Sequence, residues 1–173
     1  MGKRSNFERK PKDYYKTPEK AVLPLLQHID NINVYIEPCA GDGQLVDILA
    51  KYGKKCLYAF DIEPKSDKVI KEDIFSLESF DCDIITNPPW DRKILHPILD
   101  KVINNKFDIS CWLLFDADWM HIKGSSEYIK YCHKIVSVGR VMWFPETKMT
   151  EKDNCAWYLF KNTKATVTQF IGR

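Results

Sequence analysis

Apolar residues recur along this chain in two rhythms, one helical and one extended, and their alternation predicts helices and strands in turn. Val22, Leu25, Leu26 and Ile29 lie at i, i+3, i+4 and i+7 and define one helical face. Thr17 and Pro18 are expected to open that helix as N-cap and first helical residue. Lys20 stands where Glu or Gln would complete a capping box, and Pro24 is expected to interrupt and kink the helix. Asn33 to Glu37 alternates like a short strand. Leu45, Ile48, Leu49 and Tyr52 then form a second helical face, which Gly53 stops. Cys56 to Phe60 reads as the next strand. Ile84-Ile85-Thr86 is a β-branched run of the kind found in a strand buried on both faces. Leu95, Ile98, Leu99 and Val102 mark a third helix, bent or started by Pro97. Ile109–Phe115, Lys134–Phe144, Cys155–Phe160 and Ala165–Phe170 are the remaining strand-like stretches, and residues 145–154 form a polar, charged loop. Strands alternating with helices predict an α/β fold with a mostly parallel sheet.

Two connections carry the candidate chemistry. Between the first strand and the second helix runs Pro38-Cys39-Ala40-Gly41-Asp42-Gly43-Gln44, a strand, glycine turn and helix in succession. Glycines there let the backbone close tightly and approach a ligand. Val46 stands where a third glycine would complete a dinucleotide fingerprint, and the lysine of a phosphate loop is missing. Asp61 ends the second strand, 20 residues after Gly41, the spacing of a carboxylate that bridges two ribose hydroxyls. Asp73-Ile74-Phe75 falls where the next loop should emerge. Alone, Asp61 or Asp73 reads as a cap or turn residue; with Glu37 and the glycines they describe a nucleoside site.

The other connection is Asn87-Pro88-Pro89-Trp90, directly after Thr86. Prolines end ladder pairing, so Asn87 should stand at the carboxyl end of its strand, where open α/β sheets bind ligands. The double proline makes a stiff loop offering carbonyl acceptors, an amide and, at its tip, a flat indole. Such a set suits an exocyclic amine on a planar ring. Asn87 Oδ1 and a proline carbonyl would accept the amine hydrogens, and Trp90 would cover the ring. The plain alternative is an Asn-Pro turn beside a buried Trp.

Composition narrows the class further. The 173 residues are 45% hydrophobic and 29% charged with a net charge of +2, the profile of one globular domain. No apolar run reaches the ~18 residues a membrane span needs, so neither a membrane nor a signal segment is expected. The six cysteines, 39, 56, 82, 111, 132 and 155, are never closer than 17 residues. They read as reduced thiols of a cytoplasmic protein, with no metal site expected. Lys3, Arg4, Arg9, Lys10, Lys12 and Lys16 crowd the start of the chain. Residues 1–13 are accordingly a basic arm, either solvated or touching phosphates.

The residues resemble the class I S-adenosylmethionine-dependent methyltransferases, in the branch that methylates amino groups. Glu37-Pro-Cys-Ala40-Gly41-Asp-Gly43 is similar to that class's cofactor loop, Asp61-Ile62-Glu-Pro to its ribose-binding motif and Asp73-Ile74 to its adenine-binding loop. Asn87-Pro88-Pro89-Trp90 resembles the signature of enzymes that methylate adenine N6, cytosine N4 or glutamine N5. Tyr15-Lys-Thr17-Pro18 resembles the element near the cofactor's methionine part, and Asn154–Phe160 the late aromatic strand of small phage and bacterial adenine methyltransferases.

The resemblance implies a Rossmann-like methyltransferase fold over residues 14–173: a mostly parallel seven-stranded sheet with an antiparallel C-terminal strand and helices on both faces. It implies S-adenosylmethionine as cofactor, held by Tyr15, Thr17, Pro18, Glu37, Ala40, Gly41, Gly43, Asp61, Ile62, Asp73, Ile74 and Asn87. It implies Asn87, Pro88, Pro89 and Trp90 as the catalytic loop. The reaction would be direct in-line transfer of a methyl group to adenine N6, in DNA rather than RNA, in a bacterial or phage-encoded cytoplasmic enzyme. Only 83 residues follow Trp90, so no separate target-recognition domain is expected, and target choice would be loose or borrowed from a partner or a second copy. Competing readings are RNA adenine methylation, protein glutamine methylation and a non-catalytic cofactor-binding subunit.

Overall fold

The computed structural model describes residues 15–143 and 154–173. The basic arm expected over residues 1–13 lies outside them, as does the expected polar loop apart from Asn154. Eleven elements follow in order: α1 (Glu19–Leu26), β1 (Val34–Glu37), α2 (Gln44–Lys51), β2 (Lys55–Asp61), β3 (Ile70–Lys71), β4 (Ile84–Thr86), α3 (Arg92–Ile103), β5 (Cys111–Asp116), β6 (Cys132–Gly139), β7 (Cys155–Phe160) and β8 (Gln169–Ile171). Three short 3-10 turns fill much of the stretch between β5 and β6.

The strands form one sheet in the order β3-β2-β1-β4-β5-β7-β6-β8. All pairings are parallel except those of β7, which runs antiparallel between β5 and β6. The expected architecture is therefore present, with two differences. An eighth strand is added at the edge, and the antiparallel strand is not the last in the chain: β8 runs parallel to β6.

Side chains alternate across the sheet, so neighbours in one strand enter different cores. Ile85, Trp112, Leu114 and Trp157 pack with α1 and α2, whereas Ile84, Leu113, Phe115 and Tyr158 pack with α3 on the other face. Helices on both faces leave the strand from Cys111 to Phe115 no exposed side, which is why its sequence is apolar throughout. Indole hydrogen bonding fixes the layers further: Trp157 Nε1 donates to Ala21 O at 2.8 Å, tying β7 to α1.

Several local expectations need correction. Pro18, not Thr17, is the N-cap of α1, and the Thr17 hydroxyl does not cap the helix. Pro24 and Pro97 lie within α1 and α3 without ending them, because sheet packing holds both helices. The expected strand to Phe144 stops at Gly139, whose φ of 80° leaves the extended region. The last strand is confined to Gln169–Ile171, and the two-residue β3 had no apolar pattern to announce it. Among the described residues, no helix is long and apolar enough to cross a membrane.

Candidate active site

The strand order reverses between β1 and β4: from β1 the chain builds outward through β2 to β3, then crosses to β4 on the other side. Loops leaving the carboxyl ends of β1 and β4 therefore diverge and leave a crevice. A cavity of about 470 Å³ opens there, a size that suits a small-molecule site.

One wall is the loop after β1. Gly41 and Gly43 have φ of 57° and 85°, left-handed values that side-chain-bearing residues rarely adopt. A Cβ on Gly43 would lie 3.7 Å from Val69, so the backbone angle, not space, calls for glycine. Gly43 N–H donates to Ala40 O at 2.7 Å and closes the turn that starts α2. Asp61, at the end of β2, ties into the same loop. Its Oδ2 accepts Gly41 N–H at 2.8 Å and its Oδ1 accepts Glu63 N–H at 2.8 Å.

Glu37 is only 2% exposed, lines the cavity, and its Oε2 has no hydrogen-bond partner. Burial, reinforced by Asp61 and Asp42, pushes its pKa well above the usual carboxylate value. An orphaned acidic oxygen beside two further carboxylates suits a ligand bearing a cationic or hydrogen-bond-donating group. Cys39 also faces the cavity. Burial, with Asp61 and Glu37 nearby, raises its thiol pKa far above normal, which disfavours the thiolate a nucleophile would need.

Asn87 emerges from β4 onto the opposite wall, half-buried, and shares the cavity with the glycine loop. Its Nδ2 donates to Thr17 Oγ1 at 3.2 Å, and its Oδ1 accepts Trp90 Nε1–H at 3.1 Å. That contact explains why the Thr17 hydroxyl does not cap α1. Lys16 pairs with Asp42 at 2.6 Å across the rim.

Of the residues singled out from sequence, Tyr15, Thr17, Glu37, Ala40 and Gly41 line the cavity from one side. Asp61, Ile62, Asp73, Ile74, Asn87 and Pro89 line the rest. Four do not: Pro18, Gly43, Pro88 and Trp90. Pro18 caps α1, Gly43 shapes the loop from behind, and Pro88 is buried. Trp90, half-buried, stands apart from this cavity. Expected at the loop tip, its indole is folded inward against both cores, edge-on to Trp143 at 5.5 Å. The indole N–H draws it in, because it also reaches Leu114 O at 3.1 Å. Trp119, Trp143 and Trp157 are all buried. Sequence reasoning placed Phe75, which is 46% exposed, in this loop without giving it a role, and missed Ile94 at the cavity wall. Ile94 lies one turn before Ile98 on α3, the only signal that could have found it.

No protein-family model matches the chain, and no curated protein matches it in sequence. Solved structures do. A Pyrococcus horikoshii protein described as a candidate RNA methyltransferase superposes with a TM-score of 0.56 at 20% identity, over 94% of each chain. The 23S rRNA methyltransferase ErmE gives 0.59 at 12% identity, over 89% of this chain and 72% of its own. A dimethyladenosine transferase from Plasmodium falciparum gives 0.53 at 16%, over 85% of this chain and 62% of its own. At these identities the likeness establishes the fold alone, a Rossmann-like methyltransferase fold.

Proposed function

We propose that this chain is an S-adenosylmethionine-dependent N-methyltransferase acting on adenine N6 of nucleic acid, with DNA the first substrate to test. The observation that carries the reading is the meeting of two loops at one crevice. The glycine loop after β1 and Asn87 after β4 line the same cavity, at the reversal point of a methyltransferase sheet.

The residues fit the cofactor. The orphaned Glu37 oxygen beside Asp42 and Asp61 suits the charged methionine part or ribose hydroxyls, and Ile62, Ile74 and Phe75 offer apolar surface for a flat base. When bound, the cofactor supplies a methyl group already activated on a sulfonium. The protein's own task is then alignment and charge placement, and alignment alone can be worth roughly 7–11 kcal/mol of barrier. Asn87 Oδ1 has a second lone pair beside the one taken by Trp90. It can accept a hydrogen of the target amine as positive charge develops on that nitrogen. Asn87-Pro88-Pro89-Trp90 favours a nucleobase over a glutamine side chain, for which Tyr is the more usual fourth residue.

RNA adenine is the second reading, favoured by the RNA-directed descriptions of the structural neighbours. A basic arm over residues 1–13 and a partner or second copy would supply contacts to the nucleic acid. Incubation with methyl-tritiated S-adenosylmethionine and, in turn, unmethylated DNA, RNA and cell protein decides among these. Label in N6-methyladenine from DNA supports the first reading, and label in RNA the second. Label in neither refutes nucleic-acid methylation.

A further inference from the structure

Charge is divided unevenly along the carboxyl edge of the sheet. On the cofactor side Glu37, Asp42, Asp61 and Asp73 line the cavity. The lysines that line it with them are paired, Lys16 with Asp42 at 2.6 Å and Lys65 with Glu63 at 3.8 Å. Beyond Asn87 the balance reverses. Arg92 and Lys93 open α3, Lys123 starts a 3-10 turn after β5, and Arg140 follows β6. All four are exposed, and none forms an ion pair with a described residue.

The fold gathers these cations. β4, β5 and β6 run the same way, so Arg92 and Arg140 leave the sheet on the side of Asn87. The turn with Lys123 is pinned to α3: Trp119 Nε1 donates to His96 Nε2 at 3.1 Å, and a Cβ on Gly124 would lie 3.3 Å from the same ring. Burial and then the charge of Arg92 lower the His96 pKa, which sets Arg92 beside that ring too. Trp143, three residues after Arg140, meets Trp90 edge-on and so brings the end of β6 to the loop of Asn87. Of the nearby carboxylates, Asp91 caps α3 and Asp116 caps the turn Ala117–His121, while Asp118 is exposed. Unpaired cations set close together repel one another, and a polyanion relieves that repulsion. The carboxylates across the crevice would repel the same polyanion.

We propose that the sugar–phosphate backbone of the substrate runs over the α3 and β6 side of the crevice, with Arg92, Lys93, Lys123 and Arg140 against its phosphates. The inference rests on the nucleic-acid reading above and adds the track by which that substrate reaches Asn87. Phosphodiester chemistry is common to DNA and RNA, so the track is the same for both.

Fluorescence anisotropy with a labelled adenine-containing oligonucleotide, as single-stranded DNA and as RNA, tests the track across a range of salt. Each phosphate contact contributes about 0.7 to the slope of log affinity against log salt for a single strand. Arg92→Ala/Lys93→Ala should therefore lower the slope by about 1.4 and weaken binding roughly 25-fold at about 0.1 M salt. Lys123→Ala and Arg140→Ala should each lose about 0.7 in slope and roughly 5-fold in affinity, which repeats the test at separate points of the fold. Lys71→Ala/Lys106→Ala is the control. Lys71 is exposed on the edge strand β3, on the cofactor side, and Lys106 is exposed after α3. Slope and affinity should stay parental there, and S-adenosylhomocysteine should bind every variant as it binds the parent. An unchanged slope in the three test variants, or an equal loss in the control, overturns the track. A parent that binds neither oligonucleotide withdraws the nucleic-acid substrate itself, and the track with it.

Discussion

Replacing Asn87 with alanine tests the site most directly, because its effects on stability and on turnover should differ widely in size. The substitution removes one contact to Thr17 Oγ1 and one from Trp90 Nε1, both at the edge of a half-buried site. The indole retains Leu114 O, so its donor is not orphaned. Two long, partly exposed hydrogen bonds are together worth about 1 kcal/mol net, which at this chain length lowers Tm by roughly 2–4 °C. The reaction loses its pre-placed acceptor, and removal of one such group typically costs about 10²–10³ in kcat, or roughly 2.7–4 kcal/mol. The assay is the initial rate of tritium transfer to an adenine-containing oligonucleotide at saturating cofactor, with S-adenosylhomocysteine binding followed by calorimetry. Turnover should collapse while binding persists. Near-parental turnover would refute the assignment of Asn87.

Three other substitutions probe separate parts of the argument. Asp61→Ala should weaken S-adenosylhomocysteine binding by roughly 10- to 100-fold, since hydrogen bonds to a charged group contribute about 1.5–3 kcal/mol; unchanged calorimetric affinity would remove Asp61 from the site. Glu37→Gln tests burial. The folded-state pKa of Glu37 lies above its unfolded value, so its stabilisation is complete below about pH 4.5 and is lost as pH rises through the raised value. The glutamine variant should therefore melt above the parent at pH 7.5, with the gap closing toward pH 4 and cofactor affinity reduced. A pH-independent gap would refute the burial argument. Asn105→Ala acts at the amino ends of β4 and β5, away from the cavity. Asn105 is 8% exposed and bonds the Phe80 N–H and carbonyl and the Phe107 carbonyl at 2.8–2.9 Å. Its loss should cost about 3 kcal/mol, or roughly 6–12 °C in Tm, with specific activity of the folded protein intact; a denaturation midpoint close to the parent's would show that water replaces those bonds.

What the sequence determined by itself is local or periodic. The glycine turn at 41–43 is legible because left-handed backbone requires glycine wherever it occurs. The strands at 84–86 and 155–160 are legible because burial on both faces selects a β-branched run in the first and a mostly apolar one in the second. Asn87 at a strand's end follows from the two prolines that stop the ladder.

Only the tertiary structure decided where Thr17 and Trp90 turn their polar atoms. Thr17 is a credible helix cap until an amide 70 residues away claims its hydroxyl. Trp90 is a credible exposed platform until a carbonyl 24 residues on receives its N–H. Periodicity reports which face of an element is apolar, a property of neighbouring residues. The partner of a single hydrogen bond depends on distant segments brought together by the fold, and no local pattern encodes it.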